Sequence, residues 1–469
     1  MKLTRRHFVA GTVAALLGSA GLERLREWIG STPQGALPAG RHPVEQHVLQ
    51  GARVIVDEGV EVVVPPRRHR VVTARVEMDA TPSALQEARH ALESALTELD
   101  ARYPPSPEGL TLTVAWGLPY FRRFVPGQAR REIPIDRRAS AARGREIRVL
   151  EEAERFPSDP ADTIHERNDV AVLLRSDNLD ALDEAQQRLF GDLPEIFAVT
   201  SIRNGFVGGG FEGRRSLPNR MLAATRVRGG ALMPSSAELF LGFTSTVKRS
   251  LGPPKIVNFE TLGYAELLSG YFVGGTHMHL SHIGENLLAW YLNFGRAERV
   301  EAMFRPGLEV PPTRQTVNSA PVDSVAELRH DYERRRRIGH VGSIQPASRL
   351  ERDVVARDGT LYPKGTAVPQ RADFNTLDNP FAWSVDPARD RLEREPAAGV
   401  HFVVFNPTSD DFARVRLAMD GVLPDGSRLE LPARSIGQGL NSVLRTTHRQ
   451  NFLVPPRAHR SFPLTELSA

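Results

Sequence analysis

The order of strand-like and helix-like segments constrains the fold of this chain more than any other feature. Residues 71–78 are rich in β-branched side chains and predict a strand, and Thr81 followed by Pro82 is typical of a helix start. The predicted helix runs to about Tyr103, where two prolines end it. Its apolar side chains fall on one face and are Leu85, Ala88, Leu92, Ala95, Leu96 and Leu99.

The same alternation continues through both halves of the chain. The first pass goes on with predicted strands at 110–116, 169–174 and 197–206 and a predicted helix at 179–190. A second pass begins near 237–246 and continues through 272–280, a helix at 285–294, a strand at 400–405, a helix at 409–420 and a strand at 452–454. This order is typical of the ferredoxin-like fold, an antiparallel sheet with helices on one face. The sequence therefore predicts an α+β protein of two ferredoxin-like halves.

Domain boundaries are predicted where these patterns change. A length of 469 residues exceeds a typical single domain. We expect a leader at residues 1–40, an N-terminal half at 65–232 and a C-terminal half at 233–469. Between about Phe304 and Val400 the chain is rich in proline, glycine and charge and has little periodicity, which is typical of a functional or mobile segment.

The first residues predict the destination of the protein. Arg5 and Arg6 stand before Phe8 and a short, weakly apolar stretch at 11–20. A basic region before an apolar run too short to span a bilayer is typical of an export signal, and the adjacent arginines give it the twin-arginine form. We therefore expect the twin-arginine translocation machinery to export the folded protein to the periplasm or beyond. An N-terminal amphipathic helix that contains two arginines by chance is the alternative.

The composition excludes several kinds of site. The chain has no cysteine, so disulfides, thiolate metal sites, iron–sulfur clusters, cysteine nucleophiles and covalently attached c-type haem are ruled out. Its 60 basic and 56 acidic residues give a net charge of +4, a mild excess from which we expect no nucleic-acid partner. The oligomeric state stays open, and a homo-oligomer is compatible with the sequence.

Three short segments contain residues that are candidates for chemistry. Gly209 and Gly213 flank Glu212 in a loop where glycines would let the backbone turn sharply and approach a ligand. His340 stands in an irregular stretch at 338–346, and a lone histidine is more often a surface or core residue than a ligand. Arg357 lies in a stretch that by itself predicts a strand edge with an Asp-Gly turn.

His277, His279 and His282 form a fourth group. Alternation along a strand would place His277 and His279 on the same side, where they could hold a metal ion together. No carboxylate stands at a matching spacing, so a strand with exposed histidines is the competing interpretation. A non-haem metalloprotein that uses these three side chains stays an alternative prediction.

Taken in order, these segments resemble the dye-decolourising peroxidase family over roughly residues 70–465. In the first half, LTLTVAWGLPYF at 110–121 is similar to the family's first-half strand and its Gly-Leu-x-x-x-Phe turn. GGFEG at 209–213 stands where the family has Gly-x-x-Asp-Gly.

The second half continues the resemblance in the same order. GGT at 274–276 stands where the family has Gly-Gly-Ser-Tyr, with Trp290 at the expected distance. His340 is similar to the family's axial histidine, and Arg357 lies 17 residues later, at the place of its distal arginine. Residues 399–405 and the Pro-Pro turn at 455–456 resemble the closing strand.

This resemblance implies a fold, a cofactor and a reaction. The fold would be the dimeric α+β barrel-like, haem-binding type of the family, with non-covalent haem b in the C-terminal half. His340 would supply the axial imidazole to the iron, Glu212 would move the proton of hydrogen peroxide, and Arg357 would stabilise the negative charge on the leaving oxygen. An organic donor would supply the electrons.

Three further residues are expected to contact the cofactor. Gly209 and Gly213 would let the loop approach it, and Arg337, in the basic run 334–337, would pair with a haem propionate. A solvated helix face is the alternative for this basic run.

Two departures from the family pattern separate haem binding from peroxidase activity. Glu212 is one methylene longer than the family's aspartate, and Ser281 and His282 replace its arginines. We therefore expect an exported haem peroxidase, and an exported haem-binding protein without peroxidase activity is the alternative.

Overall fold

Strands and helices alternate along the chain in a computed structural model that describes residues 44–265, 270–318, 322, 324–378, 383, 395–431 and 439–468. The strands are β1 (Val54–Asp57), β2 (Val60–Val63), β3 (Arg68–Val76), β4 (Thr111–Gly117), β5 (Ile164–His165), β6 (Val170–Ser176), β7 (Phe197–Phe206), β8 (Thr276–Glu285), β9 (Val354–Val355), β10 (Leu361–Tyr362), β11 (Gln370–Arg371), β12 (Phe374–Asp378), β13 (Ala397–Asn406) and β14 (Leu444–Val454). The leader and export signal expected at residues 1–40 lie outside the described residues.

The α-helices are α1 (Pro82–Arg102), α2 (Leu118–Phe124), α3 (Pro126–Glu132), α4 (Arg137–Arg143), α5 (Leu179–Gln186), α6 (Leu217–Thr225), α7 (Leu287–Asn293), α8 (Arg296–Met303), α9 (Val325–Arg335), α10 (His340–Ser348) and α11 (Ser409–Met419). A π-turn at Gln187–Gly191 extends α5. Short 3-10 helices occur at Gly230–Leu232, Lys248–Ser250, Pro254–Val257, Gly439–Ser442, Arg457–His459 and Thr465–Ser468. None of the helices in the described ranges is long and apolar enough to cross a membrane.

Two four-stranded sheets with the same strand order form the centre of the molecule. The first has the order β7-β3-β6-β4, and the second has the order β14-β8-β13-β12. Both correspond to the fourth, first, third and second strands of a ferredoxin-like unit. Because β4 pairs with β14 and β7 with β12, the two sheets close into a barrel. The predicted α+β fold of two ferredoxin-like halves is confirmed.

Helix α1 shows how directly the sequence determines the first half. The Thr81 hydroxyl accepts a hydrogen bond from the Ala84 amide at 3.3 Å, and Pro82 occupies the first turn. The buried face of the helix consists of the six apolar residues predicted above. They pack with outward-facing Val72 and Val172 of the first sheet, so the sheet and the helix share one apolar core.

The barrel interior changes character along its axis. Apolar side chains such as Val71, Leu173, Met278 and Phe405 fill its middle. Along β3, His69 precedes Val71 and Thr73 follows it on the same face, so buried polar side chains lie at both ends of this apolar middle.

The second pass departs from the prediction at its start. The strand expected near 237–246 is wrong, because these residues form consecutive turns. Gly242 adopts a φ of 90°, and the buried Glu238 carboxylate accepts hydrogen bonds from the Ser245 and Thr246 amides, which folds the segment back. The second sheet begins instead at β8, and β12 and α10 lie in the segment that shows little periodicity.

Candidate functional site

A cavity of about 260 Å³ lies against the outer face of the second sheet. Most of its lining is apolar and includes Leu241, Phe243, Phe304, Val400, Phe402 and Val404. The sheet forms one part of the wall, and α10, α11 and the turns that replace the predicted strand form much of the remainder. Such a cavity suits a largely apolar ligand with a few polar groups.

His340 is the first residue of α10 and lines this cavity. The helix residues that line the cavity are His340, Val341, Ile344, Gln345 and Ser348, a spacing that places them on one face. Gly339 lets the helix start close to the chain at Phe304, since a Cβ at this glycine would lie 2.4 Å from the Phe304 carbonyl oxygen. The start of the helix is therefore fixed by backbone packing.

The chemistry of the His340 side chain follows from its surroundings. Burial, together with the charges of Arg371 and Arg416, lowers the pKa of His340 to about 4, so the ring is neutral at pH 7. Its Nδ1 atom is buried and has no hydrogen-bond partner within the described part of the chain. A neutral imidazole that opens into a cavity is the form that binds a metal ion.

Two carboxyl groups, Glu285 and Asp373, line the same cavity. Burial, with the nearby charge of Asp373, raises the pKa of Glu285 to about 8. Burial also raises the pKa of Asp373, against the opposing effect of the Arg371 guanidinium. Both carboxyls are thus held toward the protonated form, and perturbed acids of this kind are typical of sites that transfer protons.

A chain of hydrogen bonds orients Ser281 at the cavity wall. Asn451 donates from Nδ2 to the Glu151 carbonyl at 3.0 Å, so its Oδ1 faces His279 Nδ1 at 2.7 Å. This contact places the ring proton of His279 on Nδ1, and Nε2 therefore accepts from the Ser281 hydroxyl at 2.5 Å. The free lone pairs of Ser281 remain available to a donor in the cavity.

Arginines supply fixed positive charge to the wall. Arg416 and Arg449 line the cavity, and both contact the buried carboxylate of Asp159, at 3.5 and 2.7 Å respectively. Burial lowers the pKa of Arg449 to about 10, which still leaves it charged at neutral pH. Arg349 and Arg371 also line the cavity. Arg416 also pairs with Asp420 at 3.0 Å, so Arg349 and Arg371 are the cavity guanidinium groups that best suit a ligand with carboxylates.

The structure places Glu212 and Arg357 away from His340, contrary to the expected grouping. Glu212 has a side chain that is 63% exposed, lies 3.8 Å from Arg214 and does not line the cavity. Its backbone is left-handed, with a φ of 59° in the glycine-rich loop. Arg357 is exposed in the turn of the β9–β10 hairpin. Each residue lies in an exposed turn, and neither side chain reaches the cavity.

The three other residues expected at a cofactor also lie elsewhere. Gly209 and Gly213 adopt φ values of 84° and 72°, so they serve the turn, and neither lines the cavity. Arg337 is paired with Glu301 at 2.6 Å, and its side chain is 47% exposed. The basic run begins in the last turn of α9 and all four of its residues are exposed, which agrees with the solvated helix face weighed as its alternative.

The three histidines of β8 are buried and do not converge on one point. His277 and His279 face the same side, as expected, and His279 stacks on Phe412 with ring centroids 3.5 Å apart. His282 points into the barrel, 3.1 Å from Asp378. No group of three or more histidine, aspartate or glutamate side chains in the described ranges is arranged to hold a metal ion. The prediction that this strand exposes its histidines is wrong, and the three histidines do not form a metal site.

Sequence reasoning missed Arg371, Asp373, Glu285 and the orienting role of Asn451. Arg371 and Asp373 stand two residues apart, a spacing that places side chains on one face of an extended chain. That signal was present, but it lies in the stretch that shows little periodicity. Glu285 ends β8 and gives no signal without knowledge of the register between strands.

Comparison with known proteins gives one family and a set of similar folds. Residues 66–456 match the model of a family of unknown function (DUF7405). A DyP-type peroxidase from Cellulomonas bogoriensis is 17% identical, with a TM-score of 0.49 over 88% of this chain and 99% of that one. An encapsulated DyP-type peroxidase from Mycobacterium smegmatis is 11% identical, with a TM-score of 0.49 over 85% and 95%. No curated protein matches the chain.

Proposed function

The chain belongs to the DUF7405 family of unknown function, and we propose that it is an exported haem protein that reduces hydrogen peroxide in the cavity beside His340. The observation that carries this proposal is the position of His340. Its neutral imidazole lines a largely apolar cavity, and its Nδ1 atom lacks a partner in the described chain. The proposed haem binding and peroxide reduction both depend on this imidazole.

The residues of the cavity fit haem b in three respects. A neutral histidine would be available to ligate the iron, and the apolar walls would suit the macrocycle. Two propionates need cations, and Arg349, Arg416 and Arg449 all line the cavity. Haem supplies the redox chemistry when it is bound, and the protein positions and tunes it.

The remaining charged residues of the cavity have the chemistry that peroxide reduction needs. Asp373, when ionised, accepts a proton from one peroxide oxygen at its carboxylate, and Glu285, protonated at neutral pH, donates one to the oxygen that leaves as water. The permanent charge of Arg371 stabilises the negative charge that develops on the leaving oxygen. Ser281 accepts a hydrogen bond from a donor in the cavity and keeps that donor oriented. The electrons come from an organic donor outside the cavity.

A second candidate function is haem binding without peroxidase activity. The position of Glu212 and Arg357 outside the cavity favours it, because the pair that the family resemblance assigns to peroxide is not assembled beside His340. Asp373 and Arg371 decide between the two functions, since they are an acid–base group and a fixed charge that the cavity does contain.

Export is the part of the proposal that depends on the N-terminal residues alone. Arg5 and Arg6 before the short apolar stretch favour the twin-arginine route, which would let the protein acquire a non-covalent cofactor before it leaves the cytoplasm. The translocation machinery would then be its transient partner, and the periplasm or the cell exterior its place of action. Fractionation of cells that express wild type and a variant with both arginines changed to lysine tests this, and unchanged export of the variant contradicts it.

An absorption spectrum before and after peroxide tests the proposed reaction. The full chain, expressed with adequate haem, should show a Soret band that shifts on addition of hydrogen peroxide and returns when an organic donor is added. A Soret band that does not respond to peroxide would select haem binding without activity. The lack of any Soret band after haem titration would contradict both functions.

A further inference from the structure

Three buried polar side chains lie side by side at one end of the barrel, far along the chain from the residues of the cavity. His69 of β3 and Thr111 of β4 are the register partners of Arg175 on β6, one on each side. Residues directly opposite each other in a sheet point to the same face. Their exposed fractions are 3%, 3% and 4% respectively. We call His69, Thr111 and Arg175 the barrel-end cluster.

The polar atoms of the barrel-end cluster lack partners. The Nε and Nη2 atoms of Arg175, both ring nitrogens of His69 and the Thr111 hydroxyl are buried and make no hydrogen bond to the described part of the protein. Buried polar groups in proteins are nearly always paired, so several orphaned atoms on adjacent residues indicate that something polar lies between them. Most of the orphaned atoms are donors.

The charge of Arg175 is also unbalanced. No acidic side chain of the described chain forms an ion pair with it, and Asp177, the nearest acidic residue along the chain, pairs with Arg67 instead. Burial and the Arg175 charge lower the pKa of His69 well below its usual value, so His69 is neutral. The cluster therefore contains one net positive charge, and a buried charge without a counter-charge is strongly unfavourable.

Neighbouring groups close this end of the barrel against bulk water. His47 lies within electrostatic range of Arg175, and its Nε2 atom is 3.2 Å from the Pro254 carbonyl. The rings of Phe374 and Phe405 lie beside His69 and His47, with centroids 5.1 and 6.1 Å apart. A small ligand enclosed here would exchange hydrogen bonds with the cluster and little with solvent.

We propose that the barrel-end cluster binds a small inorganic anion with a single negative charge, of the size of chloride or nitrate. The guanidinium of Arg175 supplies the charge and a fork of N–H donors, and the Thr111 hydroxyl and one His69 N–H complete the set. The anion neutralises Arg175 and links β3, β6 and β4 at the barrel end. It is independent of the cavity beside His340.

Anion-dependent unfolding of the full-length protein tests this site. Thermal unfolding is followed in gluconate, an anion too large for an enclosed site, while chloride, nitrate, sulfate or phosphate replaces it at constant ionic strength. The midpoint temperature of wild-type unfolding should rise with the concentration of chloride or nitrate and then saturate. Thr111→Val should need about tenfold more anion for the same rise, because it loses one hydrogen bond to a charged partner. Arg175→Met should unfold at the same temperature in every anion.

Arg203→Met is the matched control, because Arg203 is a fully buried arginine that already has a carboxylate partner, Glu166, at 2.6 Å. This variant should unfold more easily but keep the wild-type response to anions. The proposal is overturned if the wild-type midpoint responds to no anion, or if Arg175→Met responds as wild type does.

Anomalous scattering from bromide gives a second test that needs no variant. Crystals of the wild-type protein grown or soaked in bromide should show an anomalous peak within hydrogen-bond distance of Arg175. Water alone between the three side chains, with no bromide peak, would contradict the proposal.

Discussion

The two sheets of the barrel have the same strand order but differ in what covers their outer faces. On the first sheet, the 21-residue helix α1 and the shorter α5 lie directly on outward-facing valines and leucines. On the second sheet, the helix that follows the first strand is α7, with only seven residues. The chain then makes a long excursion before it returns to the sheet at β12. The cavity lies where that incomplete cover leaves space.

The outward-facing side chains of the two sheets also differ in polarity. The first sheet presents apolar residues such as Val72, Val114 and Val172 to its helices, whereas the second presents Ser281, Glu285 and Arg449 to the cavity. Burial of polar groups is tolerated there because they contact one another or face the cavity. One ferredoxin-like half is therefore tightly covered, and the other leaves space for a ligand.

The largest expected effect separates Asp373, which lies between β11 and β12 and has a proposed acid–base role, from Glu212 in the loop of the first half. Asp373→Asn should lower peroxide turnover about 100-fold or more, because it removes a proton acceptor from the cavity. Glu212→Gln should leave turnover within about twofold, since Glu212 is exposed and outside the cavity. Steady-state rates with an organic donor, at matched haem content, measure both. A large loss in Glu212→Gln with none in Asp373→Asn would restore the role that the family resemblance gives to Glu212.

The next prediction compares how much stability is lost when a valine is shortened in the equivalent strands of the two sheets, β6 and β13. Val172 of β6 is buried under the helices of the first half, and Val400 of β13 lines the cavity. Val172→Ala should lower the free energy of unfolding by about 2 kcal/mol, and Val400→Ala by less than about 0.5 kcal/mol, because space already exists beside it. Urea unfolding without added haem measures both values. Equal losses would mean that the second sheet is as tightly covered as the first.

The pH dependence of stability tests whether the Glu285 carboxyl is protonated in the folded protein. Its pKa is raised from 4.5 to about 8, so between these values the unfolded chain releases a proton that the folded chain keeps, and stability falls as pH rises. The free energy of unfolding of Glu285→Gln relative to wild type should therefore grow from pH 5 to pH 8, by at most about 1.4 kcal/mol per pH unit. A difference between Glu285→Gln and wild type that does not change with pH would show that the Glu285 carboxyl is ionised in the folded protein.

The smallest effect concerns Arg337, which the sequence assigns to a haem propionate and the structure to an exposed pair with Glu301. Arg337→Met should change the free energy of unfolding by less than about 0.5 kcal/mol and leave haem affinity unchanged. Haem titration followed by absorbance measures the second quantity. A tenfold loss of affinity would show that Arg337 reaches the cofactor.

The first half could be predicted from the sequence because its elements are local and strongly patterned. Helix α1 carries its cap, its starting proline and its apolar stripe within one segment, and β7 extends over the predicted residues. The turns near Gly242 could not be predicted, since a buried glutamate folds back a segment whose apolar residues suggest a strand. Of the predicted site residues, His340 alone lies at the cavity, while Glu212 and Arg357 depend on how distant loops are placed.

Haem titration of wild type and His340→Ala tests the central claim most directly, with His330→Ala as a matched control on the exposed face of α9. Wild type and His330→Ala should each bind about one equivalent of haem with the same Soret band. His340→Ala should lose about 100-fold or more in affinity, because it lacks the imidazole that we propose as the ligand of the iron. Binding of haem by His340→Ala with wild-type affinity and an unchanged spectrum would contradict the account.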